Sequence, residues 1–466
     1  MKSPMGRATV LFASLAIVVS ACAGQGGSTA PSASAAASVA ASPSAAASGA
    51  AFDWKAFSGT EITFLANQHP WTDGATKLVD KFTEETGIKV NLQPFSEDLY
   101  FDKMEQTIRS GGADVYFLPM DSTAFTQYSA DLIEPLTPFI EDPAKTSPEY
   151  DFADFPEGFM GGVLYPPGDA AAQAYGIPIS FEAYTLFYNK DLVKTVPATY
   201  ADLIADAERI TAEKGAEGIS GSVMRGVRSD TIMDTLSGIV WNSFGAAEAP
   251  TPYGMWFDGA WDKPRLTDAG VCGGLTNYAK LLAAGPPNKY SIDWGDANTL
   301  FAQGKAAYFI DASLFGPGYE DPANSQVVGK VGYAVIPPVT AGGESFTGHW
   351  LWGLGIPKSA AQKDAAWYFV QWMTNKANTA EIGKSTGGAP RLSSYSDPGY
   401  TGSLNPEYIA AVNKAMATSR TTVVLKEGWK DGAFAIVDTE LAIAEGKDPT
   451  AACAAGNDAL KAAVNP

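Results

Sequence analysis

The sequence predicts an α/β fold built on parallel strands. Apolar or alternating runs of strand length are followed by stretches with helical spacing, glycines stand where those helices would end, and three strands fall within residues 61–118. A β-α-β-α-β order of this kind implies parallel pairing through right-handed crossovers. In open sheets so built, ligands sit at the carboxyl ends of strands, which points to the loops at Asn67-Gln68-His69 and Met120-Asp121-Ser122.

Taken in order, Glu61-Ile62-Thr63-Phe64-Leu65 reads as a short strand. Ala75, Leu78, Val79 and Phe82 then recur at helical spacing, with Gly87 in the cap position. Ile88, Val90 and Leu92 alternate with Lys89, Asn91 and Gln93, the period of a strand. Leu99, Met104 and Ile108 suggest a second helix ended by Gly111-Gly112, and Asp114 to Leu118 is an apolar strand. Further on, Thr199-Tyr200-Ala201-Asp202 has the form of a helix start, with Leu203, Ala207 and Ile210 on one face and Gly215 at the close. Residues 364–373 make another helix, whose apolar positions 365, 366, 369, 370 and 373 form one core-facing stripe. There is no internal repeat and no heptad pattern.

Composition narrows the function. The chain has 466 residues, 46% hydrophobic and 18% charged, which suits a globular protein and neither disorder nor a fibre. That length corresponds to two or three domains. A net charge of −19 would be repelled by phosphate backbones, so nucleic-acid binding is excluded. With only His69, His349 and three cysteines, the chain lacks closely spaced soft ligands, and neither a metal nor a cofactor is expected.

Lys2 and Arg7 precede an apolar run from Val10 to Val19, too short for a stable membrane-spanning helix, which needs about 20 residues. The run ends Val19-Ser20-Ala21-Cys22, which resembles a bacterial lipobox with Cys22 as the lipidated residue; a plain secretory signal is the alternative. Residues 1–21 are therefore read as a signal peptide. Residues 22–52 carry no charge and are mostly Ala, Ser, Gly and Pro, as a flexible tether would be. The expected address is the outer face of the cytoplasmic membrane.

Catalytic signatures are wanting. Gly383-Lys384-Ser385 resembles the end of a phosphate loop, but position 378 is Asn where the leading glycine belongs. H-E-x-x-H and G-x-S-x-G are absent. Paired carboxylates for glycoside hydrolysis stay open, since 51 acids are available. What is present suits holding a polar molecule: Trp71, Trp241, Trp256, Trp261, Trp294, Trp350 and Trp352 punctuate polar stretches, and flat aromatics with Asp, Glu, Asn and Arg can bind a sugar or polyol. Most of these tryptophans are read as core, Trp350 being the exception.

Gly176-Ile177-Pro178-Ile179-Ser180-Phe181-Glu182-Ala183-Tyr184 and its continuation to Leu192 resemble the crossover segment of bacterial extracellular solute-binding proteins of ABC sugar importers. Thr199-Tyr200-Ala201-Asp202-Leu203, residues 300–311, Val331 to Pro337 and Gly387-Gly388-Ala389-Pro390-Arg391 resemble the same family in the same order. Within it the likeness is greatest to binders of sorbitol, mannitol and related sugar alcohols, through Arg225-Gly226, Asn242 to Ala246, Gly285-Pro286-Pro287 and Trp350-Leu351-Trp352. His349 departs from the Asn expected there, as does the loop around Asn67-Gln68-His69.

The resemblance implies a two-lobed periplasmic-binding-protein-like fold with ligand in the inter-lobe cleft and hinge closure. The lobes would be discontinuous, 53–182 with 312–372 and 183–311 with 373–466. It further implies a monomer that takes a small neutral carbohydrate or polyol and delivers it to ABC permease subunits, without catalysis. An exported glycan hydrolase or a binder of another solute, such as a peptide or polyamine, is the alternative. Carried over residue by residue, the site comprises Glu182, Arg225, Asp311, Trp350 and Arg391, with Asn67, Gln68, Asp121, Trp241 and Asn242 beside them. Trp350 would be the stacking platform, the acids would accept from hydroxyls, and the two arginines would donate. An exported chain meets oxidising conditions, so Cys272 and Cys453 are candidates for a disulfide, two separate thiols being the alternative.

Overall fold

The computed structural model describes residues 51–244, 253–422, 424–426 and 428–465. The expected signal peptide, Cys22 and nearly all of the tether lie outside the described residues. The tether's last residue does not: Phe52 packs on Tyr368, with ring centroids 5.2 Å apart, alongside Trp54 and Phe57. The folded body therefore begins before residue 53.

Among the described residues, eleven strands form one large sheet and one small one. β1 (Glu61–Asn67), β2 (Lys89–Phe95) and β3 (Val115–Pro119) are the three predicted strands, β1 being parallel to both others. All five residues of β3 are buried, as its unbroken apolar run requires of a central strand. β4 (Leu164–Tyr165) and β5 (Gln173–Ala174) pair only with each other. β6 (Ile177–Asn189), β7 (Ser220–Val223), β8 (Ala306–Ala312), β9 (Val331–Ala334), β10 (Thr347–Gly355) and β11 (Ser419–Thr421) complete the set. The sheet order is β2-β1-β3-β10-β6-β8-β7, with β9 on β6 and β11 on β10.

β6 organises the molecule. Its first part, up to Ala183, pairs antiparallel with β10; from Tyr184 onward it pairs with β8 and β9. One continuous strand thus passes from the half of the sheet holding β1–β3 to the half holding β7 and β8. The other two passages lie later than the expected boundaries at 312 and 373. β9 still pairs with Leu186–Asn189, so the second half keeps the chain through Ala334, and the return runs between β9 and β10. Residues 376–391 stay with the first half, since the Lys376–Thr386 helix lies against Gly74 through Ile382 and Arg391 binds residues 150–154. The Pro406–Thr418 helix then rejoins the second half, where Tyr408 packs on Tyr333.

Helix signals hold with four adjustments. Gly87 caps the Val79–Thr86 helix at φ 75°, where an added Cβ would also strike Ser58. The stripe from Ala75 to Phe82 is split between two helices, Pro70–Thr76 and Val79–Thr86. In the Glu97–Ser110 helix the buried face is Tyr100, Met104 and Ile108 at i, i+4 and i+8, which leaves Leu99 41% exposed. At the third, Thr199 caps the Tyr200–Lys214 helix by accepting from Asp202 N at 3.1 Å, but Gly215 keeps right-handed geometry and the left-handed turn falls at Gly218. The Lys363–Met373 helix is buried on every face, beyond the predicted stripe, because Trp367, Gln371 and Trp372 all find polar partners around it. Cys272 in the Ala269–Ala283 helix and Cys453 in the Pro449–Val464 helix are joined as a disulfide, with Cα atoms 6.0 Å apart. Among the described residues no helix is long and apolar enough to cross a membrane.

Candidate functional site

The carboxyl ends of strands from both halves converge on the stretch where β6 meets β10. Antiparallel register sets Glu182 opposite Trp350 and Ser180 opposite Trp352, so these side chains share one face. Trp350 is half-buried and packs edge-on to Trp352, their rings 5.8 Å apart. Trp352 continues to Phe117 at 4.9 Å and to Phe101 at 6.0 Å, which makes an aromatic wall. His349, one residue away, faces the other side among Phe159 and Phe181. Burial pushes its imidazole down to about 3, with the Arg420 charge adding to the effect, and its Nδ1 meets Ser419 Oγ at 2.8 Å.

The first half supplies acceptors. Asn67 ends β1 fully buried; its Nδ2 donates to Glu97 Oε2 at 3.3 Å, and its Oδ1 has no protein partner. His69 caps the Pro70–Thr76 helix, its Nδ1 accepting from Trp71 N at 3.1 Å. The proton is therefore on Nε2, which donates to Glu182 Oε1 at 3.1 Å, and Ser180 Oγ donates to the same oxygen at 2.9 Å. Glu97, the first residue of its helix, has its carboxyl raised by burial, an effect that Asn67, His69 and Arg225 oppose. Asp121 caps the Ser122–Ser129 helix and accepts from Thr123 N at 2.7 Å. Burial pushes it up to about 6, and Asp230 of the second half adds to the rise.

The second half supplies a buried ion cluster. Arg225 lies two residues beyond β7 and binds Asp311 of β8 through two bonds, Nε to Oδ2 at 2.9 Å and Nη2 to Oδ1 at 2.5 Å. Its Nη1 reaches Asp234 Oδ2 at 3.0 Å and Thr231 O at 2.8 Å. Asp234 belongs to the Ile232–Phe244 helix, and burial lifts it to about 8 even though Arg225 pulls it down. The two halves are in electrostatic contact here: Glu97 feels Arg225, and Asp234 feels Glu182.

Of the ten residues carried over from the resemblance, the structure brings Glu182, Trp350, Asn67, Arg225 and Asp311 into this region, with Asp121 at its margin. Arg225 and Asp311 are spent largely on each other. Gln68 is exposed. Trp241 is fully buried with no partner for Nε1, and Asn242 ties down the β9–β10 connection through Pro337 O at 2.6 Å and Phe346 N at 3.2 Å. Arg391 lies elsewhere and does not face a solute. It is wholly buried, donates to Thr374 O at 2.6 Å, Asp151 O at 2.8 Å and Tyr150 O at 3.0 Å, and stacks on Phe155 at 4.0 Å. The glycines before it serve packing: a Cβ at Gly388 would strike the Phe181 carbonyl, and Phe181 N donates to Gly388 O at 2.8 Å. Sequence reasoning passed over Glu97 and Asp234. Glu97 opens a helix just after a strand end, a usable signal; Asp234 had none to set it apart among 51 acids. No group of metal-ligating side chains occurs among the described residues.

Comparison with known proteins follows the same outline. An erythritol/L-threitol-binding protein of Mycolicibacterium smegmatis is 27% identical over 390 residues, covering 81% of this chain and 77% of that protein. A mannitol-binding protein of Pseudomonas aeruginosa is 32% identical over 213 residues, 44% of this chain and 45% of the relative. Among solved structures, an ABC transporter solute-binding protein of Agrobacterium radiobacter K84 in complex with ribitol superposes with a TM-score of 0.70 at 24% identity, over 87% of this chain and 99% of that one. Maltose-bound MalE3 of T. maritima gives 0.71 at 20% identity, over 86% and 99%. The shared fold is the two-lobed one. The family profile for bacterial extracellular solute-binding proteins matches residues 68–380, well over half of the chain, and the protein belongs to that family.

Proposed function

We propose that this protein captures a sugar alcohol between its lobes and hands it, unchanged, to an ABC permease. The observation that carries the reading is the convergence of Trp350, Glu182, Asn67 and Glu97 from one lobe with the Arg225–Asp311–Asp234 cluster of the other. An aromatic face rimmed by acceptors suits a molecule with a C–H skeleton and many donating hydroxyls. The relatives whose names specify erythritol, threitol and mannitol support the class. Cys22 would carry the lipid that holds the mature chain, of charge −21 once Lys2 and Arg7 are removed, at the outer face of the membrane. The lobe faces turned away from the cleft would meet the permease in the closed state.

A thermal-shift screen of erythritol, threitol, ribitol, mannitol, sorbitol, glucose and maltose tests this. A bound compound at 100 times its dissociation constant adds about 2.7 kcal/mol of stability. A shift with a polyol recovered intact is expected. Consumption of the compound would favour a hydrolase, and a shift with disaccharides alone would replace the ligand class.

A further inference from the structure

We propose that Glu97 is a ligand-contacting, specificity-determining residue, which with the free Oδ1 of Asn67 accepts the two hydroxyl protons of a terminal vicinal diol. The inference rests on reading the cleft as a polyol site.

Three observations lead there. Asn67 is completely buried, yet its Oδ1 meets no protein donor, a costly state unless a ligand supplies one. Glu97 is largely buried beside it and receives only the long 3.3 Å bond from Asn67 Nδ2, with no cation bonded to its carboxylate. The nearby donors are occupied: His69 Nε2 on Glu182, Arg225 on Asp311, Asp234 and Thr231 O. Whatever fills the space must therefore bring its own donors, and two hydroxyls on adjacent carbons can reach two neighbouring acceptors. The sheet order explains why the diol is terminal. Asn67 ends β1, near one edge, whereas Arg225 follows β7 at the other, and Trp350 on β10 lies between. A chain-like polyol lying along Trp350 meets Asn67 and Glu97 with one end and the arginine cluster with the other.

The test is calorimetric titration of the wild-type chain and of Glu97→Gln with mannitol, ribitol and their 1,6- and 1,5-dideoxy forms, which lack both terminal hydroxyls and so cannot bind in reverse to escape the loss. Losing hydrogen bonds to a charged acceptor weakens binding by roughly tenfold to a hundredfold. Glu97→Gln should bind the parent polyol that much more weakly, and the penalty for dideoxygenation should shrink at least tenfold in the variant, since side chain and hydroxyl are partners. Parent affinity within twofold of wild type, or an identical dideoxy penalty in both proteins, overturns the proposal. If Glu97→Gln does not fold, Glu97→Asp replaces it in the same cycle. Silence of the wild type toward every polyol overturns instead the reading on which the proposal rests, and the proposal with it.

Discussion

Replacing Arg391 with Met should destabilise the protein and leave its solute affinity alone. The guanidinium is wholly buried and holds the 150–154 segment to Thr374 through three backbone carbonyls, with Asp154 Oδ2 at 3.3 Å. Met fills much of the volume and preserves the apolar contact with Phe155, so the loss is chiefly of polar partners. Breaking a buried charged pair costs about 3–5 kcal/mol. Asp154 keeps the Ser393 N–H at 2.9 Å and the Ser393 hydroxyl at 2.6 Å, which places the loss at the lower end, about 3 kcal/mol. At about 2 °C per kcal/mol the melting temperature should fall by about 6 °C. Calorimetric melting and polyol titration of the same preparation read both quantities. A variant that melts like wild type but binds tenfold more weakly would return Arg391 to the ligand and refute this account of it.

Other consequences can be checked with the same material. Trp350→Ala should weaken polyol binding at least tenfold, and an unchanged dissociation constant would take Trp350 out of the site. Reducing the Cys272–Cys453 bridge, which spans 181 residues, should lower stability by up to about 5 kcal/mol in the chain-entropy picture; unfolded, unreduced protein from residue 51 onward should show no reactive thiol. Glu440 is fully buried with neither carboxyl oxygen bonded, and burial raises it well above the ordinary carboxyl range. Asp234 is lifted to about 8 by the same cause. The folded state then keeps protons that the unfolded chain has released above about pH 4.5, so stability should fall as pH rises from there through about 8. Glu440→Gln should raise the neutral-pH melting temperature and flatten that slope, and an equally steep profile in the variant would show that Glu440 does not titrate this way.

How far the sequence spoke depended on which forces set each feature. Local signals read well: the β1–β3 run follows from period and apolarity, the Gly87 cap from its left-handed geometry, and Thr199 from the bond it accepts at a helix start. A helix face was misjudged where one residue decided it, Tyr100 in place of Leu99. Lobe boundaries at 312 and 373 were misplaced because β9 and the 376–391 segment are held by partners far away in sequence. The candidate site divides in the same way. Glu182 and Trp350 each lay in a motif that marks a strand, and the register then sets the two opposite one another. Arg391 was not, because a motif carries residue identity but says nothing of which acceptors surround a guanidinium. His69 stood out as a departure from the family pattern, and its hold on Glu182 becomes visible only once β1 and β6 are placed in one sheet, with two strands between them.

The most direct test of the central claim is calorimetric titration of the purified protein with erythritol, ribitol and mannitol, with chemical analysis of the polyol afterwards. The account predicts one molecule bound per chain for at least one of them, near-complete loss of that heat in Trp350→Ala, and quantitative recovery of the compound. Absence of binding by all three, binding indifferent to Trp350, or conversion of the polyol to product would contradict it.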